Sequence, residues 1–438
     1  MSIAAPIVSN HASTGRDCKV GAAMLGVDEA RRRILNAFAP LPATATPIQD
    51  ALALTIAEDV VTGIALPPFT NSAMDGYAVR TFDTLTASAA RPAWLKVSGQ
   101  ATAGHEPEGS LEPGCAVRIM TGAPVPAGAD AVIRFEEIDE ASEHGWIGVP
   151  RSVRPGENIR PAGEVARQGE IVLAAGSRIR PAEIGLLAAV GRTHVAVHRR
   201  PRVAVLVTGD EVVDAGTALQ PGQIGNSNGP MIAAQVRHCG GDPIMLGVAR
   251  DTAGSVRARL AESADTDLMI TTGGVSVGDF DVVKDVLQAE GRIDLWQIRL
   301  KPGKPLAFGW VGDTPLIGLP GNPIAAYVAF TQFARLAILT MLGRQDVSIP
   351  TVRAKLLDRI ENRGECEQYA RVQVEMTSAG YVARLAGGQG SGMLTSLAKS
   401  NGLLMIPETF DVAEPGMTFQ VQMPDWDLGS LGLESRDT

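Results

Sequence analysis

Hydrophobic positions change their spacing several times along the chain. In DEARRRILNAF (28–38) Ala30, Ile34 and Phe38 recur every four positions, with acids in the first turn and Pro40 just beyond, which predicts a short amphipathic helix. From 63 to 164 the pattern shifts to short β-type runs, AWLKVSG, CAVRIMTG and DAVIRFEE, separated by GHEPEGSLEPG and GAPVPAGAD, and predicts an all-β insert. His194 and His198 alternate with valines in HVAVH, so that stretch reads as a strand and no metal is assigned to it. Over 200–343, strand candidates RVAVLVTG, PIMLGVAR, DLMITTGG and PLIGLPG alternate with helix candidates GPMIAAQVRHCG, TAGSVRARLAES and DVVKDVLQAEG. That alternation predicts right-handed βαβ units on a parallel sheet. From 344 to 430 the β-type runs VRAKLLDRI, YARVQVEM and TFQVQM predict a small separate β domain. The most apolar long segment, AAYVAFTQFARLAILTML (325–342), carries Thr331, Gln332 and Arg335 at its centre and is expected as a buried core helix.

A chain of 438 residues suggests about three domains, and 45% hydrophobic with 20% charged residues is globular composition. The net charge of −9 argues against nucleic acid as a partner, which needs a stripe of excess Lys and Arg. The four cysteines, Cys18, Cys115, Cys239 and Cys366, lie far apart with no CxxC pair, which fits a reducing cytoplasm. Residues 1–21 lack a basic start followed by an apolar stretch and read as a disordered leader rather than a secretory signal, with no membrane partner indicated.

Candidate chemistry gathers at the predicted strand ends of the α/β part: TGDE (208–211), ARD (249–251), TTGGVSVGDFD (271–281) and GLPGNP (318–323). Gly273 and Gly274 let backbone N–H groups approach a ligand, and Ser276 can donate to an oxyanion near a helix start. Asp210, Glu211, Asp251, Asp279 and Asp281 collect acids where a divalent cation could bridge phosphate oxygens. Lys301 and Lys304 in LKPGKP suit a rigid oxyanion clamp, although surface lysines are the commoner case. Neither GxxxxGK[ST] nor a GxGxxG after RVAVLV is present, which excludes the two standard nucleotide loops. Asp75 in NSAMDGYAVR admits two readings, a plain Asp-Gly turn or a carboxylate held out for chemistry.

The motifs PPFTNSAMDGYAV, RIMTGAPVP, TGDE, TTGGVSVGD, KPGKP and GLPGNP, in this order and spacing, resemble the molybdopterin molybdenumtransferases, the MoeA-type proteins related to gephyrin E domains and their plant counterparts. The resemblance spans roughly 22–430. It implies that adenylylated molybdopterin and molybdate give molybdenum cofactor and AMP, with magnesium or a similar divalent cation. It implies an elongated multi-domain α/β and β subunit: a linking domain from 22–62 and 165–199, the β-rich insert 63–164, the parallel-sheet molybdopterin-binding domain 200–343, a C-terminal β-barrel 344–430 and a tail 431–438. It further implies a homodimer with shared active sites and a molybdopterin adenylyltransferase upstream. The alternatives are adenylyl transfer itself or a non-catalytic scaffold of the same fold.

Carried over by motif, Asp75, Asp251 and Asp281 are the catalytic carboxylates, and Asp210, Glu211, Asp251 and Asp281 the cation set. Substrate contacts fall on Thr121, Arg160, Gly273, Gly274, Ser276, Lys301, Lys304, Pro320, Pro323, Arg371 and Ser391. The chain departs from the family pattern at Thr70, at Val165, at Gln297, and at GGQGSG (387–392), where Gly388 stands in a stretch often bearing histidines.

Overall fold

The computed structural model describes residues 24–107, 109–141, 145–263, 265–274, 285, 286, 289, 291–362 and 366–425. They fall into two compact units, Pro42–Arg199 and the combination of Met1–Leu41 with Arg200–Thr438.

In Pro42–Arg199 the β-rich insert is a six-stranded sheet in the order Ala131–Arg134, Gly76–Val79, Cys115–Ile119, Ala93–Ala101, Trp146–Val149, Asp139–Ala141. Tyr77, Val79, Leu95, Ile133, Ile147 and Val149 alternate into one core, while Ala78, Ile119 and Val132 bury the opposite face in a second. The flanking segments form a smaller body. Ala43–Pro47 pairs with His194–His198, and Ile48, Leu54, Ile56, Ile179, Leu187 and Val197 pack beneath helix Pro181–Ala189. HVAVH is thus a strand, as its alternation predicts.

The second unit is built on a six-stranded sheet ordered Asp242–Ala249, Arg202–Thr208, Leu268–Thr272, Thr314–Leu319, Pro305–Val311, Gly291–Gln297. The first four strands are parallel. RVAVLVT buries six of its seven residues because both faces of the sheet are covered, which is why it reads as a continuous apolar run. The parallel expectation needs one correction: Pro305–Val311 runs antiparallel to both of its neighbours, Thr314–Leu319 and Gly291–Gln297. Val311 pairs with Thr314 across a two-residue turn whose Gly312 has φ +59°, and so short a connection can only reverse the chain.

Helix Val27–Leu35, grouped from sequence with 22–62, inserts Val27, Ala30 and Ile34 into the core formed by Val203, Ile298, Phe333 and their neighbours. Burying Ile34 there contributes about 1.5–3 kcal/mol. The apolar stretch near 325–342 is a helix over Pro323–Met341, long and apolar enough to cross a membrane but 89% buried inside the protein. Its middle turn, Phe330–Ala334, widens to a π-helix. Five strands, Glu367–Thr377, Gly380–Leu385, Thr351–Leu356, Thr418–Gln422 and Gly402–Ile406, pair in that order and close when the first meets the last, giving the expected C-terminal β-barrel. The short strand Leu300–Lys301 adds to it beside Glu367 and Gln368.

Candidate functional site

At the carboxyl ends of the four parallel strands the chain opens a cleft of about 750 Å³. Its walls are rich in glycine and proline. Gly209 (φ +145°) and Gly273 (φ +89°) leave the strand ends in conformations that favour glycine, and a Cβ on Gly273 would stand 2.6 Å from the Thr208 carbonyl oxygen. The loops are tied strand to strand: Gly209 N–H donates to Ala249 C=O (3.3 Å), and Gly273 N–H to Leu319 C=O (3.3 Å). Two helix starts also line the cleft, Ser227 with Asn228, and Asn322 with Pro323 at the first position of its helix. Their dipoles favour a negative ligand, although several first-turn donors are already used or missing: Gly229 N–H donates to Asn226 Oδ1 (2.9 Å), Ile324 N–H to Ser391 C=O (3.2 Å), and Pro230 and Pro323 have none.

Asn228 is the residue sequence reasoning missed. Its Nδ2 donates to Thr272 Oγ1 (2.7 Å) and to Gly321 C=O (2.7 Å), while Thr272 Oγ1 passes its own hydrogen to Pro320 C=O (3.1 Å). One amide therefore pins the GLPGNP loop to a strand end. The signal available was only a polar pair, Ser-Asn, ahead of a helix candidate.

Of the expected residues, Glu211, Asp251, Gly273, Gly274, Pro320, Pro323 and Ser391 line this cleft. Asp210 and Asp251 clasp one another, Asp251 N–H donating to Asp210 Oδ1 (3.1 Å) and Asp210 N–H to Asp251 Oδ2 (3.3 Å). Partial withdrawal from water, and then the charges of Asp210 and Glu211, push the Asp251 carboxyl above its ordinary pKa, against the pull of the Asp210 N–H. Among the described residues no three His, Cys, Asp or Glu side chains gather to hold a metal ion. Ser276, Asp279 and Asp281 lie outside the described residues. Lys301 and Lys304 are exposed, on the segment whose Pro302, Gly303 and Pro305 line the cleft.

Arg371 is placed differently from a residue reaching into open space. It is 1% exposed, with Nε donating to Ser396 Oγ (2.8 Å) and one terminal nitrogen to the carbonyls of Gly388 (2.9 Å) and Gly390 (3.1 Å). Burial lowers its pKa from the ordinary arginine value. Its bonds hold the loop that carries Ser391.

Asp75 and Thr121 meet in the other unit, and Arg160 pairs with the segment that leads to Asp75. The segment 70–75 is clamped by Ser72 N–H to Ala123 C=O (3.0 Å) and Ala73 N–H to Asn158 C=O (2.9 Å), and Asn71 pairs with Arg160. Asp75 is exposed, and its Oδ1 accepts both the Thr121 N–H (2.7 Å) and the Thr121 hydroxyl (2.9 Å). These donors, the backbone one foremost, hold its carboxyl below the usual range. The Asp-Gly turn reading is corrected here. Gly76 is not among the left-handed residues; it opens strand Gly76–Val79, where a Cβ would stand 1.9 Å from the Ile133 carbonyl oxygen. Glycine is needed for close strand approach, not for a reversed φ.

Residues 25–191 match the family model of the MoeA N-terminal region (domain I and II), 204–340 that of a probable molybdopterin binding domain, and 353–423 that of the MoeA C-terminal region (domain IV). The chain is 37% identical over 412 residues to molybdopterin molybdenumtransferase 2 of Mycobacterium tuberculosis, covering 92% of this chain and all of that one. It is 36% identical to the molybdopterin molybdenumtransferase of Haemophilus influenzae, over 91% of this chain and 98% of the relative. Two crystal structures of a molybdopterin biosynthesis MoeA protein from Pyrococcus horikoshii superpose with TM-scores of 0.78 and 0.80 at 33% and 28% identity. Each covers 92% of this chain and 99% or 100% of its own.

Proposed function

Because the chain belongs to the molybdopterin molybdenumtransferase (MoeA) family, we propose that it inserts molybdenum into molybdopterin in molybdenum cofactor biosynthesis. The observation that carries this to a place on the molecule is the strand-end cleft, walled by glycines, two helix starts and Asp251. It offers close backbone approach at the glycines and helix dipoles to an anion, and carboxylates to a cation. Adenylyl transfer alone would leave the β insert and the barrel without a role, and a scaffold would not need the carboxylates and lysines.

In finer detail, the substrates are adenylylated molybdopterin and molybdate, and AMP is released. Phosphate or molybdate oxygens meet Gly273, Gly274, Ser276, Ser391, Lys301 and Lys304. A hard divalent cation, magnesium or a similar ion, is assigned by resemblance to Asp210, Glu211 and Asp251, and the raised pKa of Asp251, partly withdrawn from water beside the other two acids, is what such an ion would relieve. Asp281 joins that set by resemblance. The protein works in the cytoplasm as a homodimer, supplied by a molybdopterin adenylyltransferase, and Asp75 of one subunit serves the cleft of the other.

The test is incubation with adenylylated molybdopterin, molybdate and magnesium, followed for AMP. AMP release should require molybdate and stop on exhaustive chelation. Release independent of molybdate would make the protein a hydrolase, and full activity after chelation would remove the cation role.

A further inference from the structure

The loop 387–392 reads GGQGSG, so four of its six residues have no side chain with which to hold a conformation. Its two side chains divide the work. Ser391 lines the cleft, and its carbonyl accepts the N–H of Ile324 (3.2 Å) in the first turn of the long helix. Gln389 grips backbone instead: its Oε1 accepts the Arg371 N–H (2.9 Å), and its Nε2 donates to the carbonyls of Arg371 (3.1 Å) and Gly387 (2.9 Å). The amide orientation is chemically fixed, because two carbonyls can only accept and an N–H can only donate. The last strand pair here is Leu385 with Val372; Ala386 N–H still donates to the Arg371 C=O (3.0 Å), and the Gln389 amide supplies the missing acceptor for the Arg371 N–H and a second donor to that carbonyl.

We propose that Gln389 is a positioning residue for molybdenum insertion, stapling the glycine loop to strand Glu367–Thr377 so that Ser391 is held at the cleft wall. The proposal rests on the reading of that cleft as the insertion site. Arg371 grips the same loop from below through Gly388 and Gly390, so the loop is fixed from two sides and neither grip needs contact with substrate.

The experiment uses the full chain with three substitutions. Gln389→Met keeps length and loses every bond; the KM for molybdate should rise about fivefold or more while kcat changes less than about twofold. Hydrogen exchange at the Arg371 amide should quicken, with the amides of strand Arg202–Thr208 unchanged. Gln389→Glu can accept but not donate at neutral pH, so its KM defect should shrink as the pH is lowered and the carboxyl gains a proton to donate. Ser391→Ala tests the premise separately. If Ser391→Ala leaves molybdate dependence unchanged, the cleft reading fails and the positioning role falls with it. If Ser391→Ala raises KM and Gln389→Met does not, although Arg371 exchange has quickened, the positioning role is overturned and the cleft reading stands. Should Gln389→Met lower the melting temperature too far to assay, Gln389→Asn, one methylene short of spanning both backbone groups, must give the same KM increase or the proposal is wrong.

Discussion

Asp75 and Asp251 are both carboxylates at candidate sites, and their surroundings treat them in opposite ways. Asp75 is exposed, and a single threonine aims two donors at one of its oxygens, so its charged form is favoured. Asp251 stands at a cleft wall, partly withdrawn from water and beside Asp210 and Glu211, so its charged form is disfavoured. The first is held ready as a permanent anion; the second is a place where a proton or a cation brings relief. The scaffolds differ likewise. The Asp75 segment depends on one glycine that lets two strands close together, whereas the Asp251 cleft depends on glycines whose backbone takes conformations other residues resist.

The largest effect should come from removing each charge. Asp75→Asn and Asp251→Asn should both fold, and molybdate-dependent AMP release should fall about a hundredfold or more in each. If the two inactive proteins are unfolded and refolded together, about a quarter of wild-type activity should return, given random pairing and independent shared sites. No recovery despite confirmed subunit exchange would confine each site to one chain and end the proposal that Asp75 acts across the dimer.

How far the two regions were legible differs for physical reasons. Strands such as Arg202–Thr208 were legible because burial on both faces leaves an unbroken apolar run, and the turn glycines and strand-end acids stand beside them. Strands Gly291–Gln297 and Pro305–Val311 were not, because Pro302, Gly303, Pro305 and Gly309 interrupt the run with residues that usually mark turns. Gly309 itself lies where a Cβ would stand 2.0 Å from the Arg292 carbonyl oxygen, the same close-approach device as at Gly76. Thr121 with Asp75, Asn228 with Gly321 and Gln389 with Arg371 join positions 46, 93 and 18 residues apart, and no local pattern announces such bonds.

The glycine contrast can be tested by stability. Gly76→Ala forces a methyl into a backbone oxygen and should destabilise by about 2–3 kcal/mol, since the strand pair must part. Gly273→Ala meets a backbone oxygen too, at a longer distance, and adds a left-handed penalty of about 1–2 kcal/mol. Urea unfolding followed by a probe in each unit should register the first loss in Pro42–Arg199 and the second in the α/β unit. A Gly76→Ala midpoint equal to wild type would mean the strands yield freely, and the close-approach account of that glycine would be wrong.

The smallest effect concerns Thr121, and it sharpens the comparison most. For Asp75 the folded pKa is lowered, so its contribution to stability is present above the unfolded value and is lost as pH falls through the folded one. For Asp251 the sign reverses: the native chain binds the proton more readily, so stability declines as pH rises from the ordinary aspartate value through the raised one. The acid limb of activity should therefore follow Asp251, because Asp75 is already ionised there, and an added divalent cation should shift that limb to lower pH by competing with the proton. Thr121→Val removes the hydroxyl bond but keeps the backbone N–H, which is the larger cause of the Asp75 shift. The Asp75 carboxyl, followed by carbon NMR against pH, should rise only part of the way and remain below the usual value, and the acid limb should not move. A complete return to the ordinary value would show that the hydroxyl alone held the charge. A moved acid limb would show that Asp75, not Asp251, sets the pH at which the site becomes competent.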